Sequence, residues 1–324
     1  MGLMGYNGGD MNKLRTTILA AMLLTVMPLQ GFAEDKAAPM STPKPYDLPY
    51  VGDMKTHITN YEDTLVKIAR DNNLGFIELR SVNPDIDPWM PGDNTKLTLP
   101  TRHLLPDAPY EGIVINLPEM RLYAFQKDGS PPITHPIGVG RDGLSTPQGT
   151  TKVVRKMIGP SWRPTARMRA EKPELPAVVT PGPDNPLGTH ALYLGWPEYL
   201  IHGTNRPFGI GRRVSSGCIR MYPEDIVTFY DEIDVNTEVR IVNQPIKAAW
   251  IDDVLYLEAH TSMDQADTME QHGIVDTYEM TDGDMDILLK TAGKDAGALD
   301  WHKVREVIRE RAGVPIAVAE RGNT

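Results

Sequence analysis

The sequence predicts a mainly β protein, with a small α/β unit ahead of the main domain and a short, partly helical extension behind it. Two observations predict this. Between residues 110 and 245 the apolar residues fall in many short runs separated by Gly and Pro, which number 28 each in the chain, and few stretches keep a helical period. Outside that region, helical spacing with recognisable caps returns.

The elements follow in order. From Met11, a possible true start, Lys13 and Arg15 precede an apolar run from Ile18 to Met27 and then Gly31-Phe32-Ala33. That order of basic region, apolar core and small-x-small site is a removable signal peptide, so residues 1–33 are expected to be cleaved. The run is well under the roughly eighteen residues that span a bilayer, and no later segment is a second candidate. Residues 34–50 read as a Pro-broken linker. In 51–101, Asn60 or Asp63 can cap a helix with Leu65, Ile68 and Ala69 on one face. Phe76, Ile77 and Leu79 begin a second helix stopped at Asn83-Pro84, and Lys96 to Leu99 alternates as a strand.

In 110–245, residues 112–116 and 121–125 predict a hairpin. Further strands are expected within Ile133 to Gly140, at Ala191 to Leu194, at Leu200-Ile201 and at Glu238 to Val242, with a helix from Pro223 to about Glu232. Residues 246–324 form an acidic extension of weak texture as far as Asp286, followed by a helix from Trp301 to Ala312 capped by Asp300.

Charge divides the chain. The net charge is −10, and residues 247–324 hold 16 acids against 8 bases, whereas residues 152–225 hold 11 bases against 6 acids. A local basic excess suits a cleft for a carboxylate-bearing substrate. It lacks the dense Lys/Arg stripe with interleaved aromatics that nucleic acid requires.

Cys218 is the only cysteine, in a chain that reads as exported. An unpaired thiol there is either inert in a core or kept for chemistry. It lies in Ser215-Ser216-Gly217-Cys218-Ile219-Arg220, sixteen residues after His202. An imidazole within reach is the usual means of lowering a thiol's pKa, and Leu200-Ile201 would deliver His202 to a strand end. The amides of Gly217 and Cys218 could form an oxyanion hole, and Arg220 could hold a carboxylate bidentately. Ser215 and Ser216 favour a turn. His135 and His190 are rival bases, but neither has a partner at ligand spacing, so no metal is expected. Trp162, Arg163, Arg167 and Arg169 lie in a Pro-broken stretch from Pro160 to Pro186, long enough to be a cover over the substrate.

The set His202-Gly203-Thr204, Phe208-Gly209-Ile210-Gly211 and Ser215 to Met221 resembles the signature of the L,D-transpeptidase catalytic domain, the YkuD-type family. Upstream, Arg121-Leu122-Tyr123, Pro136-Ile137-Gly138, Thr146-Pro147 and Pro181 to Gly188 extend the likeness over about 110 to 245. Tyr61 to Leu65, Ile68-Ala69, Asn83-Pro84 and Pro91-Gly92 are similar to a LysM module, as in Gram-negative periplasmic members. The resemblance implies a β-sandwich-like catalytic domain and a peptidoglycan-binding module whose sugar contacts come from loops near Glu62 and Asn83.

It also implies that Cys218 attacks the bond between meso-diaminopimelate and the terminal D-alanine of a tetrapeptide stem, with His202 as base and acid oriented by the carbonyl of Gly203. Substrate contacts would come from Arg220, Ser215, Ser216 and Thr204. No cofactor is implied. The acyl acceptor is a lysine of an outer-membrane lipoprotein or a second diaminopimelate. Transfer to water, as in an L,D-carboxypeptidase or amidase, and a non-catalytic wall-binding role are the alternatives. Many members have Ser-His-Gly-Cys where this chain has Ser216 in place of the second histidine.

Overall fold

The structure, a computed structural model, describes residues 45–273 and 277–322, so the expected signal peptide and most of the linker lie outside the described residues. Everything described belongs to one unit, Pro43–Thr324. Its centre is an eight-stranded mixed sheet. In spatial order the strands are Ile219–Arg220, Leu200–His202, His190–Leu194, Gly149–Ile158, Glu238–Val242, Ile113–Asn116, Arg121–Ala124 and Ile133–Pro136. The domain is thus mainly β, built on one large sheet and a short pairing of Arg213–Ser215 with Val139–Gly140 instead of two large sheets.

Ile113–Asn116 and Arg121–Ala124 are buried at every position, because both sheet faces are covered there. The strand Gly149–Ile158 was not readable from sequence. It pairs on both edges, yet only Val153 is buried, so its sequence lacks the apolar alternation that marks a half-buried strand.

Residues 51–101 form the strand Lys55–Ile58, helices Leu65–Asp71 and Phe76–Val82, and the strand Lys96–Leu99, with the two strands antiparallel. The first helix is capped by Thr64, which accepts from Lys67 N–H. Asp63 instead ties the preceding loop, accepting from Asn60 N–H and meeting His57 Nε2, each at 3.0 Å. Asn83 is buried and bonds Leu79 O, Thr98 O and Thr98 N–H, so its side chain joins helix to strand and is closed to a ligand.

This segment docks firmly on the sheet. Leu65, Ile68 and Leu79 share one core with Ile115, Leu122, Ile201 and Ile219. A Cβ on Gly75 would meet Gly211 Cα at 2.8 Å, so backbones touch across the seam. Glu78 binds the fully buried Arg121 through both carboxylate oxygens, at 3.0 and 2.7 Å from Nη2.

The extension is more ordered than its weak texture suggested. Strands Ile246–Ile251, Val254–Ala259 and Ile316–Glu320 form a sheet over a second core, which includes Leu255, Leu257, Leu288, Val304 and Ile308. Helices Met263–His272 and Asp282–Ala292 precede the expected one, observed at Trp301–Glu310 with Asp300 as its cap. The first of these also enters the catalytic core through Ala266 and Met269. It grips the strand before the nucleophile: Arg213 Nη1 donates to Met263 O at 2.9 Å and pairs with Asp267.

Candidate active site

Strand Leu200–His202 runs parallel to Ile219–Arg220, with Ile201 opposite Ile219 and His202 opposite Arg220. Side chains alternate across a strand, so the two isoleucines fill the core and His202, Arg220 and, one step back, Cys218 share the other face. Main-chain bonds lock this corner: Met221 N–H donates to His202 O, and Gly138 and Arg220 exchange both of theirs, each at 2.9 Å. Gly138 must lack a side chain, because a Cβ there would sit 2.5 Å from Gly209 O.

His202 is buried, with Nδ1 2.5 Å from the carbonyl of Gly203. A carbonyl only accepts, so Nδ1 carries the proton and Nε2 is left as the base. Burial, and after it the Arg220 charge, hold the imidazole down at about 4 against the pull of the Gly203 and Leu187 carbonyls. It is therefore neutral and ready to accept at ordinary pH.

The Cys218 thiol is half-buried and donates to Glu198 O at 3.2 Å. Glu198 itself adopts a left-handed backbone, φ +70°, which turns that carbonyl toward the sulfur. Burial raises the thiol's pKa, with the Leu200 backbone and Arg220 opposing. This departs from the expected pre-lowered thiol. The resting pair is thiol and neutral imidazole, so the proton must move during attack.

The nucleophile turn needs Gly217: its φ is +109°, and a Cβ would lie 2.9 Å from the Tyr199 ring. Ser215 is buried, its hydroxyl donating to Cys218 O at 2.5 Å and accepting from Gly217 N–H at 3.1 Å. Two expectations change with that. Ser215 shapes the turn and is closed to substrate, and the Gly217 amide is already engaged, which leaves Cys218 N–H as the oxyanion donor to consider. Thr204 is buried too, and its hydroxyl accepts from Arg206 N–H at 2.9 Å, so it positions the loop that follows His202. Thr146, part of the upstream likeness but given no role by it, supports the same turn, its hydroxyl donating to Gly217 O at 2.9 Å.

Ser216 and Arg220 face a groove of about 940 Å³. One wall is the 160–186 stretch, ordered by paired bonds between Trp162 and Val179 and closed at its base by the buried Asn185, which donates to Pro160 O at 2.7 Å. Trp162, Met168 and Leu175 line the groove. The arginines expected over the substrate do not: Arg167 is spent on Glu171 at 2.6 Å, and Arg163 and Arg169 are exposed away from the lining. The opposite rim carries Phe208 and Val214, with Trp89 from the amino-terminal segment and Glu270 from the extension.

Comparison with known proteins agrees with this corner. The L,D-transpeptidase catalytic domain family matches residues 111–241. The probable L,D-transpeptidase YcfS of Escherichia coli (strain K12) is 39% identical over 284 residues, covering 83% of this chain and 84% of that protein. The chain belongs to the L,D-transpeptidase family. It is also similar to the probable L,D-transpeptidase YbiS of the same strain, 37% identical over 317 residues, 94% of this chain and 99% of that one. The probable L,D-transpeptidase ErfK/SrfK of Salmonella typhimurium (strain LT2) is 36% identical over 266 residues, 80% and 84% of the two chains.

In this L,D-transpeptidase the rival histidines are engaged elsewhere. His135 packs on Phe229 with Nδ1 3.2 Å from Asp225, and His190 bonds Thr189 and leans on Tyr230. One buried cluster of metal-type ligands does exist, which spacing could not reveal: Glu119, Glu258 and His260 bring ligand atoms within 4.8 Å of one another. The Lys247 ammonium already bridges its carboxylates, pairing with Glu119 and lying 2.7 Å from Glu258. The cluster therefore carries its own cation and knits the extension to the catalytic sheet. No helix among the described residues is long and apolar enough to cross a membrane.

Proposed function

We propose that this enzyme acts in the periplasm on peptidoglycan tetrapeptide stems through a Cys218 acyl-enzyme. The observation that carries the reading is the His202 tautomer, with Nδ1–H fixed on Gly203 O and a neutral Nε2 on the face that bears Cys218. Nε2 takes the thiol proton as Sγ attacks the diaminopimelate carbonyl, and the Cys218 amide receives the developing oxyanion. The C–N bond then breaks, and the imidazolium returns the proton to the departing D-alanine amine, leaving a thioester. An acceptor amine attacks the thioester and gives a proton to Nε2, which passes it to the released sulfur.

A single histidine suffices for this cycle, so Ser216 in place of a second one leaves it intact. The acceptor is an amine, of a lipoprotein lysine or a second diaminopimelate, held in the remaining part of the groove. In residues 51–101, Tyr61, Trp89 and Met90 are exposed on the two loops between strand and helix, a surface that suits sugar rings. We read that segment as a peptidoglycan-binding module of the LysM type. The test is release of D-alanine from a soluble tetrapeptide with an added amine. Appearance of the amide product supports transfer, whereas free tripeptide alone would reassign the acceptor to water.

A further inference from the structure

Three cations on the groove form no ion pair among the described residues: Arg220, Arg206 and the exposed Lys172 on the 160–186 wall. Arg220 has a buried Nε that meets no hydrogen-bond partner, although buried polar groups are as a rule satisfied. Arg206, which is exposed, lines the same groove, and neither arginine forms an ion pair among the described residues. Of the remaining arginines there, Arg141 lies 3.5 Å from Glu171 and Arg212 pairs with Glu270. Asp184, also on the lining, is exposed and within ion-pair distance of neither.

The backbone of Arg206 is fixed by Thr204 and by the 3-10 turn Pro207–Gly209 that follows it. Burial first, and then the Arg206 charge, push the Arg220 guanidinium below its ordinary value, with Cys218 pulling the other way. Two guanidiniums facing one groove, one partly buried and one exposed, repel each other until an anion joins them.

We infer that Arg206 and Arg220 form a two-armed clamp for a carboxylate of the acyl donor, and that Arg206 is a specificity-determining residue. The inference rests on the acyl-transfer reading for the identity of the donor. Two carboxylates of a tetrapeptide stem could enter the clamp: that of the leaving D-alanine, and the side-chain carboxylate of diaminopimelate. Either would bring its charge close to the reacting carbonyl and fix the stem relative to Cys218. A stem amidated at the clamped position would bind more weakly, because it leaves the buried Nε of Arg220 and the Arg206 guanidinium without a counter-charge.

Binding to the full-length Cys218→Ala protein tests this without turnover. Three peptides are titrated: the tetrapeptide, its terminal carboxamide, and the tetrapeptide amidated on the diaminopimelate side chain. One amide should bind about 10- to 100-fold more weakly than the parent, as loss of a charge-assisted bond predicts, and which one identifies the clamped group. With Arg206→Gln added, the three should converge to within about threefold, and Arg206→Lys should restore part of the difference. Equal binding of all three peptides to the Cys218→Ala protein would overturn the clamp, as would an Arg206→Gln effect that weakens all three alike. D-alanine release by the enzyme with Cys218 intact is measured on the same peptides. No release from any of them would refute the transpeptide reaction while the binding panel still decides the clamp.

Discussion

Glu78→Gln should destabilise the catalytic sheet although the residue belongs to the amino-terminal segment. Arg121 is fully buried, and its partners are Glu78, Thr134 Oγ1 at 3.2 Å and Asn73 O at 2.9 Å. Of these only Glu78 is a carboxylate, with Glu119 a further negative charge nearby. The substitution keeps the shape but leaves a buried guanidinium without its paired carboxylate, and breaking such a pair costs about 3–5 kcal/mol. The Glu78 carboxylate also accepts from Gly75 N–H at 2.9 Å, so part of the helix start is lost as well. For a chain of this size each kcal/mol lowers the melting temperature by roughly 2–4 °C, giving a fall of about 6–20 °C. Thermal unfolding followed by circular dichroism measures it. A fall of less than about 2 °C would show that the pair contributes nothing net. Deleting the whole segment should have the larger effect, exposing the shared core, so it is not a detachable tether.

Further outcomes follow from the site. His202→Ala should lower the rate by about 10²- to 10⁴-fold, and Cys218→Ser should abolish acyl transfer; steady-state D-alanine release reads both. Because burial holds His202 at about 4, below its ordinary 6.5, the acid limb of kcat/KM should fall near pH 4 and not near 6.5. The same shift means the unfolded chain binds a proton that the folded one refuses, so stability should decline as pH drops from about 6.5 toward 4. A limb at 6.5 would mean a solvated imidazole. Gly217→Ala should cut the rate more than tenfold, about 1.4 kcal/mol or more in the barrier, because it forces a side chain against Tyr199 in a left-handed backbone; wild-type turnover in that variant would show that the turn is free to move.

Much of the site was legible because its chemistry is local. Cys218, Gly217 and Arg220 sit within four residues, and His202 stands at the end of a strand with two apolar neighbours before it. What was not legible depends on residues distant in sequence. Arg206 gains meaning only from the groove it shares with Arg220, the role of Thr146 only from its bond to the Gly217 carbonyl, and Ser215 reads as a substrate contact until its burial is known. The fold divides the same way. Compact apolar runs such as Ile113 to Asn116 declared themselves, whereas the strand Gly149–Ile158 is carried by its neighbours' pairing and shows no pattern. The helices at Met263 and Asp282 have few apolar positions, but Ser262 with Gln265 and Thr281 with Asp284 form capping boxes that could have located both.

The central claim is a covalent intermediate on Cys218. Intact-protein mass spectrometry after rapid quenching, with tetrapeptide present and no amine acceptor, tests it most directly. The mass should rise by the tripeptide acyl group, the stem without its D-alanine, with the adduct mapped to Cys218 and absent from Cys218→Ser. Release of D-alanine without any such adduct at any time point would contradict the account.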